Sequence, residues 1–132
     1  MVSQTGGAVS AEGVPEADIN LIIIQKLQEL LEASNCEIIL TRSDENGIYD
    51  ADANNKKTSD LKNRVELVNA SGSEILVSVH LNKISSEKWN GWQTFYQKDN
   101  ECSKALASQI QNNLNYSIDR ENKRTILPLS NI

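Results

Sequence analysis

Apolar residues recur every three or four positions in three stretches of the chain, which is the spacing that places them on one face of an α-helix. The spacing predicts helices over residues 15–33, 61–70 and 101–118. In each helix the apolar face is expected to point inward, and the polar positions between its members are expected to face solvent. The predicted inward faces consist of Ile19, Ile23, Leu27, Leu30 and Leu31 in the first helix, Leu61, Val65, Leu67 and Val68 in the second, and Leu106, Ile110 and Leu114 in the third.

Residues at the ends of these stretches support the predicted boundaries. Pro15 suits the first turn of a helix, where its missing N–H has no partner to lose. Asn35 is expected in a left-handed conformation that stops the first helix, and Gly72 is expected to stop the second. Ser59 or Asp60 is predicted to cap the start of the second helix.

Between the helices lie short segments rich in β-branched and apolar residues, which predict strands. These are residues 36–41, 73–82 and 91–96, and a further strand begins within the tail from 119 to 132. Residues 42–58 are rich in Asp, Asn, Gly and Lys and predict an irregular, mobile loop. The alternation of helices and strands predicts an α/β fold, an open, mostly parallel twisted sheet with helices on both faces.

Composition narrows the classes of function. A chain of 132 residues predicts a single domain, and a net charge of −5 argues against a nucleic-acid-binding protein. No apolar run is long enough to span a membrane, and the polar start Met1–Gly7 does not predict a signal peptide. Cys36 and Cys102 form no CxxC motif and are expected to be reduced, buried thiols.

The segment 73–82 is the most informative part of the sequence. It ends in His80, the single histidine of the chain, with Asn82 just beyond it. Ligands of open α/β sheets bind outside the carboxyl ends of the strands, and imidazole is a common metal ligand and general base. From the residues alone two interpretations stay open, a functional imidazole or a hydrogen-bonded packing residue. Glu16 likewise suits either a ligand or a partner of the helix dipole.

Several short motifs follow one another along the chain: Gly6-Gly7-Ala8, Gly13-x-x-Glu16-x-Asp18-x-Asn20-Leu21, Leu40-Thr41-Arg42, Asn63-Arg64 with Asn69, and Ser78-Val79-His80-Leu81-Asn82. Taken together, these motifs resemble the zinc-dependent N-acetylmuramoyl-L-alanine amidases, which hydrolyse peptidoglycan. The resemblance extends over essentially the whole chain. The segments 44–49 and 91–96 look most like the germination-specific, spore-cortex branch of that family.

The resemblance implies a chemistry and a set of site residues. Glu16 and His80 are expected to be two of three protein ligands to a catalytic zinc, and Asn82 and Arg64 are expected to bind substrate. The implied substrate is peptidoglycan, cleaved between N-acetylmuramic acid and L-alanine, and the implied location is the cell envelope, outside the cytoplasmic membrane. Carboxylate and imidazole are both donors that zinc accepts in catalytic sites.

Two departures from the family pattern lead us to expect an incomplete domain over residues 1–132, inactive by itself. No counterpart of the family's first strand and its His-Gly-Gly ligand motif is present. The family's catalytic glutamate, in a C-terminal strand, is expected to lie beyond Ile132. The expected sheet therefore lacks its first strand and its C-terminal strand and helix, and its open edge offers a surface to a protein partner.

Two other functions compete with the amidase. One is a non-catalytic module that binds peptidoglycan around His80 and Trp92, or binds a protein partner. The other is an unrelated flavodoxin-like or receiver-like α/β domain, although no strand ends in the aspartate that a receiver needs. Zinc binding is expected to separate the amidase from the unrelated domain.

Overall fold

The structure is a computed structural model that describes residues 15–44, 46–81 and 91–130. Its contacts group into two compact units, residues 1–83 and residues 84–132. Among the described residues, the first unit contains two helices, and the second contains a helix and two short strands. The elements are α1 (Glu16–Glu32), α2 (Lys56–Ser71), β1 (Phe95–Gln97), α3 (Glu101–Ser117) and β2 (Leu127–Leu129).

Helix α1 begins and ends close to the predicted positions. Its first turn carries Glu16 and Asp18, whose negative charges complement the positive end of the helix dipole. At the other end Asn35 has a φ of 63°, so the left-handed residue predicted there is confirmed. The N–H of Cys36 folds back onto the carbonyl of Leu31 over 3.0 Å, which satisfies an acceptor that the helix leaves open.

Helix α2 starts before its predicted first residue, and the predicted N-cap is wrong. The cap is Asn55, whose side chain accepts a hydrogen bond from the N–H of Thr58 over 3.1 Å. Ser59 and Asp60 lie inside the helix and are buried. Both bond the preceding loop instead of the helix start. Gly72 ends the helix with a φ of 69°, as predicted.

Polar side chains of α2 hold the loop that precedes it. Asp60 accepts the N–H of Ile48 over 2.7 Å, and the Ser59 hydroxyl accepts the N–H of Asp50 over 3.0 Å. Asn63 donates to the carbonyl of Ile48 over 2.6 Å. Residues 46–50 are therefore irregular, as predicted, but are fixed by hydrogen bonds to a helix face.

The second unit is built on a parallel pair of strands joined by a helix. Strands β1 and β2 pair in parallel, with Phe95 opposite Leu127 and Gln97 opposite Leu129, and α3 packs against β1. Parallel neighbours need a crossover connection, which α3 supplies. This β1–α3–β2 arrangement confirms the predicted α/β class, and α3 matches the predicted third helix closely.

The strands predicted at 36–41 and 73–82 are wrong for the residues described. Residues 36–40 and 75–81 have no helix or strand assigned, and within the described ranges no backbone pair joins residues 73–81 to a neighbour. Composition favours a strand, but a strand also requires a hydrogen-bonded partner. The end of the second segment, Asn82, lies outside the described residues.

Burial also differs from the prediction. Among the described residues Ala107 is the single buried hydrophobic side chain. Members of the faces expected to point inward are exposed, with Leu30 at 69 % and Val65 at 58 %, because no described element covers them. The expected burial of Cys36 and Cys102 is likewise wrong, since both thiols are exposed. In the described part no helix is both long and apolar enough to cross a bilayer.

Candidate metal and substrate site

Glu16 and the segment that ends at Leu81 meet in the first unit. Glu16 is the first residue of α1, and its side chain is only 12 % exposed. Its Oε1 atom accepts the backbone N–H of Leu81 over 2.7 Å. The same oxygen accepts the side-chain amide of Asn20, one turn further along the helix, over 3.3 Å. The carboxylate is therefore held from two sides by N–H donors.

His80 lies beside this carboxylate. Its Nδ1 atom is 3.6 Å from Glu16 Oε1, and its Nε2 atom is 2.9 Å from the hydroxyl of Ser78. The imidazole side chain is 65 % exposed. The structure thus brings together the two residues that the resemblance implied as zinc ligands, with the ring open to solvent.

The spacing of these two groups fits a common metal ion. In a tetrahedral zinc site with bonds of about 2.0–2.2 Å, two ligand atoms lie roughly 3.3–3.6 Å apart. The separation of 3.6 Å between Glu16 Oε1 and His80 Nδ1 falls at the edge of this range. Carboxylate oxygen and imidazole nitrogen are also the chemically appropriate donors. These residues could therefore hold zinc together.

The pair does not form a complete ligand set. No group of three or more His, Cys, Asp and Glu side chains suitable for a metal occurs among the residues that the structure describes. The chain has one histidine, so a second histidine ligand cannot come from these 132 residues. Three protein ligands and an open position are typical of catalytic zinc sites.

Arg64, predicted to bind substrate, contacts the protein itself. Its Nε and Nη2 atoms donate to the two carboxylate oxygens of Asp60 over 2.7 and 3.2 Å, and its Nη1 atom donates to Thr41 over 2.9 Å. The bond to Thr41 joins α2 to the residues that follow α1. A guanidinium carries five N–H groups, and the bonds to Asp60 and Thr41 use three of them. The predicted contact of Arg64 with substrate is not tested by these bonds and stays a prediction.

Asp60 is the acidic centre of this cluster. Burial by itself raises the pKa of its carboxyl, but the hydrogen bonds from Arg64 and the N–H of Ile48, with the charges of Arg64 and Arg42, lower the pKa below its usual value. For Arg42 burial lowers the pKa, and the neighbouring charge of Arg64 lowers it further. The charge of Asp60 therefore counters the mutual repulsion of the two guanidinium groups.

Sequence reasoning named Arg42 only as part of a motif and gave it no contact. The structure shows that its Nη2 atom donates to the carbonyl of Ala17, in the first turn of α1. Its Nη1 atom donates to the carbonyl of Asp44 over 2.9 Å. Arg42 therefore ties the loop to the helix that begins with Glu16. No local spacing signals this contact, because it joins residues far apart in the chain.

Trp92, in the second unit, is held in place by hydrogen bonds with neighbouring side chains. Its indole N–H donates to the side-chain oxygen of Asn115 over 2.8 Å. The same oxygen accepts a hydrogen bond from the side-chain amide of Gln111, which is buried. The side-chain oxygen of Gln111 accepts the backbone N–H of Thr94 over 2.7 Å. Asn122 joins the cluster by donating to the carbonyl of Trp92 over 3.0 Å. These bonds fix the indole against α3.

Comparison with known proteins places these features in a family. A sequence model described as N-acetylmuramoyl-L-alanine amidase matches residues 3–128. The chain is 30 % identical over 122 residues to the germination-specific N-acetylmuramoyl-L-alanine amidase of Bacillus subtilis (strain 168), covering 90 % of the chain and 51 % of that protein. It is also 30 % identical over 110 residues to the amidase LytC of the same organism, covering 82 % of the chain and 20 % of LytC.

A solved structure shows the same fold. The CwlD amidase from Clostridioides difficile, in complex with the GerS lipoprotein, matches with a TM-score of 0.90 and 40 % identity, over 96 % of this chain and 66 % of that one. The chain thus spans about half the length of its germination-specific relative. The alternative of an unrelated flavodoxin-like or receiver-like domain is wrong. The resemblance seen in the motifs is confirmed, and the chain belongs to the N-acetylmuramoyl-L-alanine amidase family.

Proposed function

We propose that this chain carries part of the zinc site of an N-acetylmuramoyl-L-alanine amidase, which hydrolyses the amide between N-acetylmuramic acid and L-alanine in peptidoglycan. The observation that supports this function best is the approach of His80 Nδ1 to within 3.6 Å of Glu16 Oε1. A carboxylate that is only 12 % exposed, beside an exposed imidazole, is suited to hold a cation where a large substrate has access.

The chemistry divides between the metal and the chain. Zinc held by Glu16 and His80 would supply a bound water whose pKa is lowered to about 7 and a positive charge that polarises the scissile carbonyl. Glu16 contributes negative charge and is oriented by the N–H groups of Leu81 and Asn20. Ser78 lies within hydrogen-bond distance of His80 Nε2, so it can fix the orientation of the ring with Nδ1 beside Glu16 Oε1.

We infer that the 132-residue chain is inactive by itself. With one histidine in the sequence it lacks the second histidine of a two-histidine, one-glutamate zinc site. General acid–base catalysis contributes typically 10²–10⁴-fold in rate, and the glutamate that supplies it in the family has no counterpart identified in this chain. The chain is expected to bind metal more weakly than a three-ligand site.

The names of the relatives suggest where the full protein acts. One relative is germination-specific and another is solved in complex with a lipoprotein. We propose the same setting for this chain: spore-cortex peptidoglycan, outside the cytoplasmic membrane, with a lipoprotein as partner. In this setting Arg64 and Asn82 are the proposed substrate-binding residues.

Zinc binding tests the metal site directly. Isothermal titration of the purified chain with zinc is expected to show one site, lost in Glu16→Ala and in His80→Ala. The matched control is Glu29→Ala, an exposed glutamate further along α1, which is expected to bind zinc like the wild type. Zinc binding that survives both ligand variants, or that never occurs, contradicts the proposed site.

Turnover separates an amidase from a binding module. Purified cortex peptidoglycan incubated with the chain is expected to release no new L-alanine amino terminus. A full-length homologue in which this chain replaces the matching segment, with the missing histidine restored, is expected to release it in a zinc-dependent manner. Peptidoglycan binding without zinc and without turnover in either protein favours the non-catalytic module.

A further inference from the structure

Asn20 contacts the proposed metal ligand but has no assigned role. It lies one turn after Glu16 on α1, on the same face, as residues four apart on a helix do. Its Nδ2 atom donates to Glu16 Oε1 over 3.3 Å. The contact is between side chains, so it can act on the orientation of the carboxylate.

Two features indicate that asparagine at position 20 does not stabilise the helix. Asparagine has a lower helix propensity than alanine at interior positions. In addition, its Oδ1 atom is buried and accepts no hydrogen bond from any residue in the described part of the chain. Buried polar atoms are normally paired, so both features disfavour asparagine here unless its amide N–H has a use.

The orientation of the amide follows from the chemistry of its neighbour. An ionised carboxylate only accepts hydrogen bonds, so Asn20 must present its N–H group to Glu16. Its carbonyl oxygen is then turned away, toward the position where no described residue donates to it. The unpaired oxygen is thus the consequence of aiming the N–H at Glu16.

We propose that Asn20 is a positioning residue that orients the Glu16 carboxylate for zinc. This inference rests on the proposed zinc site. Together with the N–H of Leu81, Asn20 restricts rotation of the carboxylate and keeps it beside His80. Groups that hydrogen-bond a metal-ligating carboxylate typically change metal affinity about 10–100-fold when they are removed.

The test compares zinc affinity with thermal stability in the same variants. Asn20→Ala is expected to weaken zinc binding about 10–100-fold. Its melting temperature without metal is expected to stay the same or rise, because alanine favours the helix and leaves no buried oxygen unpaired. Asn20→Leu, which has a similar size but cannot donate, is expected to weaken zinc binding by a similar factor.

The matched control is Asn113→Ala in α3. Asn113 also donates from Nδ2 to a group four residues earlier, the carbonyl of Gln109, over 2.8 Å. This variant is expected to bind zinc like the wild type. The proposal is overturned if Asn20→Ala binds zinc within twofold of the wild type, or loses zinc only in proportion to a fall in melting temperature. If Glu16→Ala binds zinc normally, the proposed zinc site itself fails, which is a separable result.

Discussion

Asp60 shows how a single side chain can set the pH dependence of this molecule. It is 5 % exposed and bonds Arg64 through both carboxylate oxygens. The pKa of its carboxyl is lower in the folded chain than in the unfolded chain. Asp60 therefore contributes stability above its unfolded pKa of about 4, and this contribution is lost as the pH falls through the folded value.

Replacing Asp60 with asparagine is expected to remove that dependence. At pH 7 Asp60→Asn leaves the Arg64 guanidinium without its carboxylate, which is expected to lower the free energy of unfolding by about 2–4 kcal/mol. Urea unfolding at pH 7 and at pH 3 measures the effect, with the exposed Asp52→Asn as control. The expectation is wrong if Asp60→Asn loses as much stability on acidification as the wild type does.

For single residues, the sequence predicts which residues belong to the site better than it predicts which atoms they contact. The sequence predicts Glu16 and His80 as site residues because carboxylate and imidazole are zinc ligands and the motifs that contain them resemble those of the family. Asn20 and Arg42 could not be given roles, because a four-residue spacing is common in helices and a bond to the carbonyl of Ala17 leaves no local pattern. Such contacts depend on where the chain folds back.

Among the elements, helices are predicted more completely than strands: the strands predicted in residues 91–96 and 119–132 overlap β1 and β2, whereas those predicted at 36–41 and 73–82 are not found among the described residues. A helix satisfies its backbone within one segment, so the apolar period of α1 and α3 was sufficient to find them. A strand needs a partner elsewhere in the chain. Residues 36–41 and 73–82 have strand composition, but no described partner pairs with them. The start of α2 was missed because Ser59 and Asp60 are good caps that here bond the loop.

The observed cap of α2 can be tested with neighbouring asparagines. Asn55→Ala removes the side-chain acceptor for the N–H of Thr58 and is expected to lower the free energy of unfolding by about 1 kcal/mol. The adjacent, exposed Asn54→Ala is the control and is expected to change it by less than about 0.5 kcal/mol. Chemical denaturation followed by circular dichroism measures both. Equal effects of the two variants contradict Asn55 as the cap.

For the whole molecule, uncovered apolar surface is the dominant property. Exposed apolar side chains occur on both helices of the first unit and along residues 75–81. Monomeric soluble proteins rarely leave large contiguous apolar patches exposed, and such patches mark surfaces that other chains or segments cover. The most exposed of these side chains include Ile22, Leu30, Leu61, Val65, Ile75 and Leu76.

We expect the isolated chain to bind hydrophobic dyes and to associate with itself. An increase in anilinonaphthalene sulfonate fluorescence and a sedimentation coefficient that rises with concentration measure these properties. The double substitution Leu30→Gln and Val65→Gln is expected to reduce both, because each position is solvent-exposed and tolerates a polar side chain. A wild-type chain that stays monomeric and does not increase the fluorescence of the dye contradicts this expectation.

The hydrogen bond from Leu81 to Glu16 joins two residues that are 65 positions apart in the sequence. This separation has a thermodynamic consequence. Closing a loop of that length costs the unfolded chain about 4 kcal/mol of conformational entropy, whereas one charged hydrogen bond contributes about 1.5–3 kcal/mol. This bond alone does not offset that cost, so other contacts of the first unit, such as Arg42 with Ala17 and Arg64 with Thr41, must also hold the loop closed. A zinc ion shared by Glu16 and His80 would act as a cross-link, so hydrogen exchange at the Leu81 amide should slow when zinc is added and accelerate with a chelator.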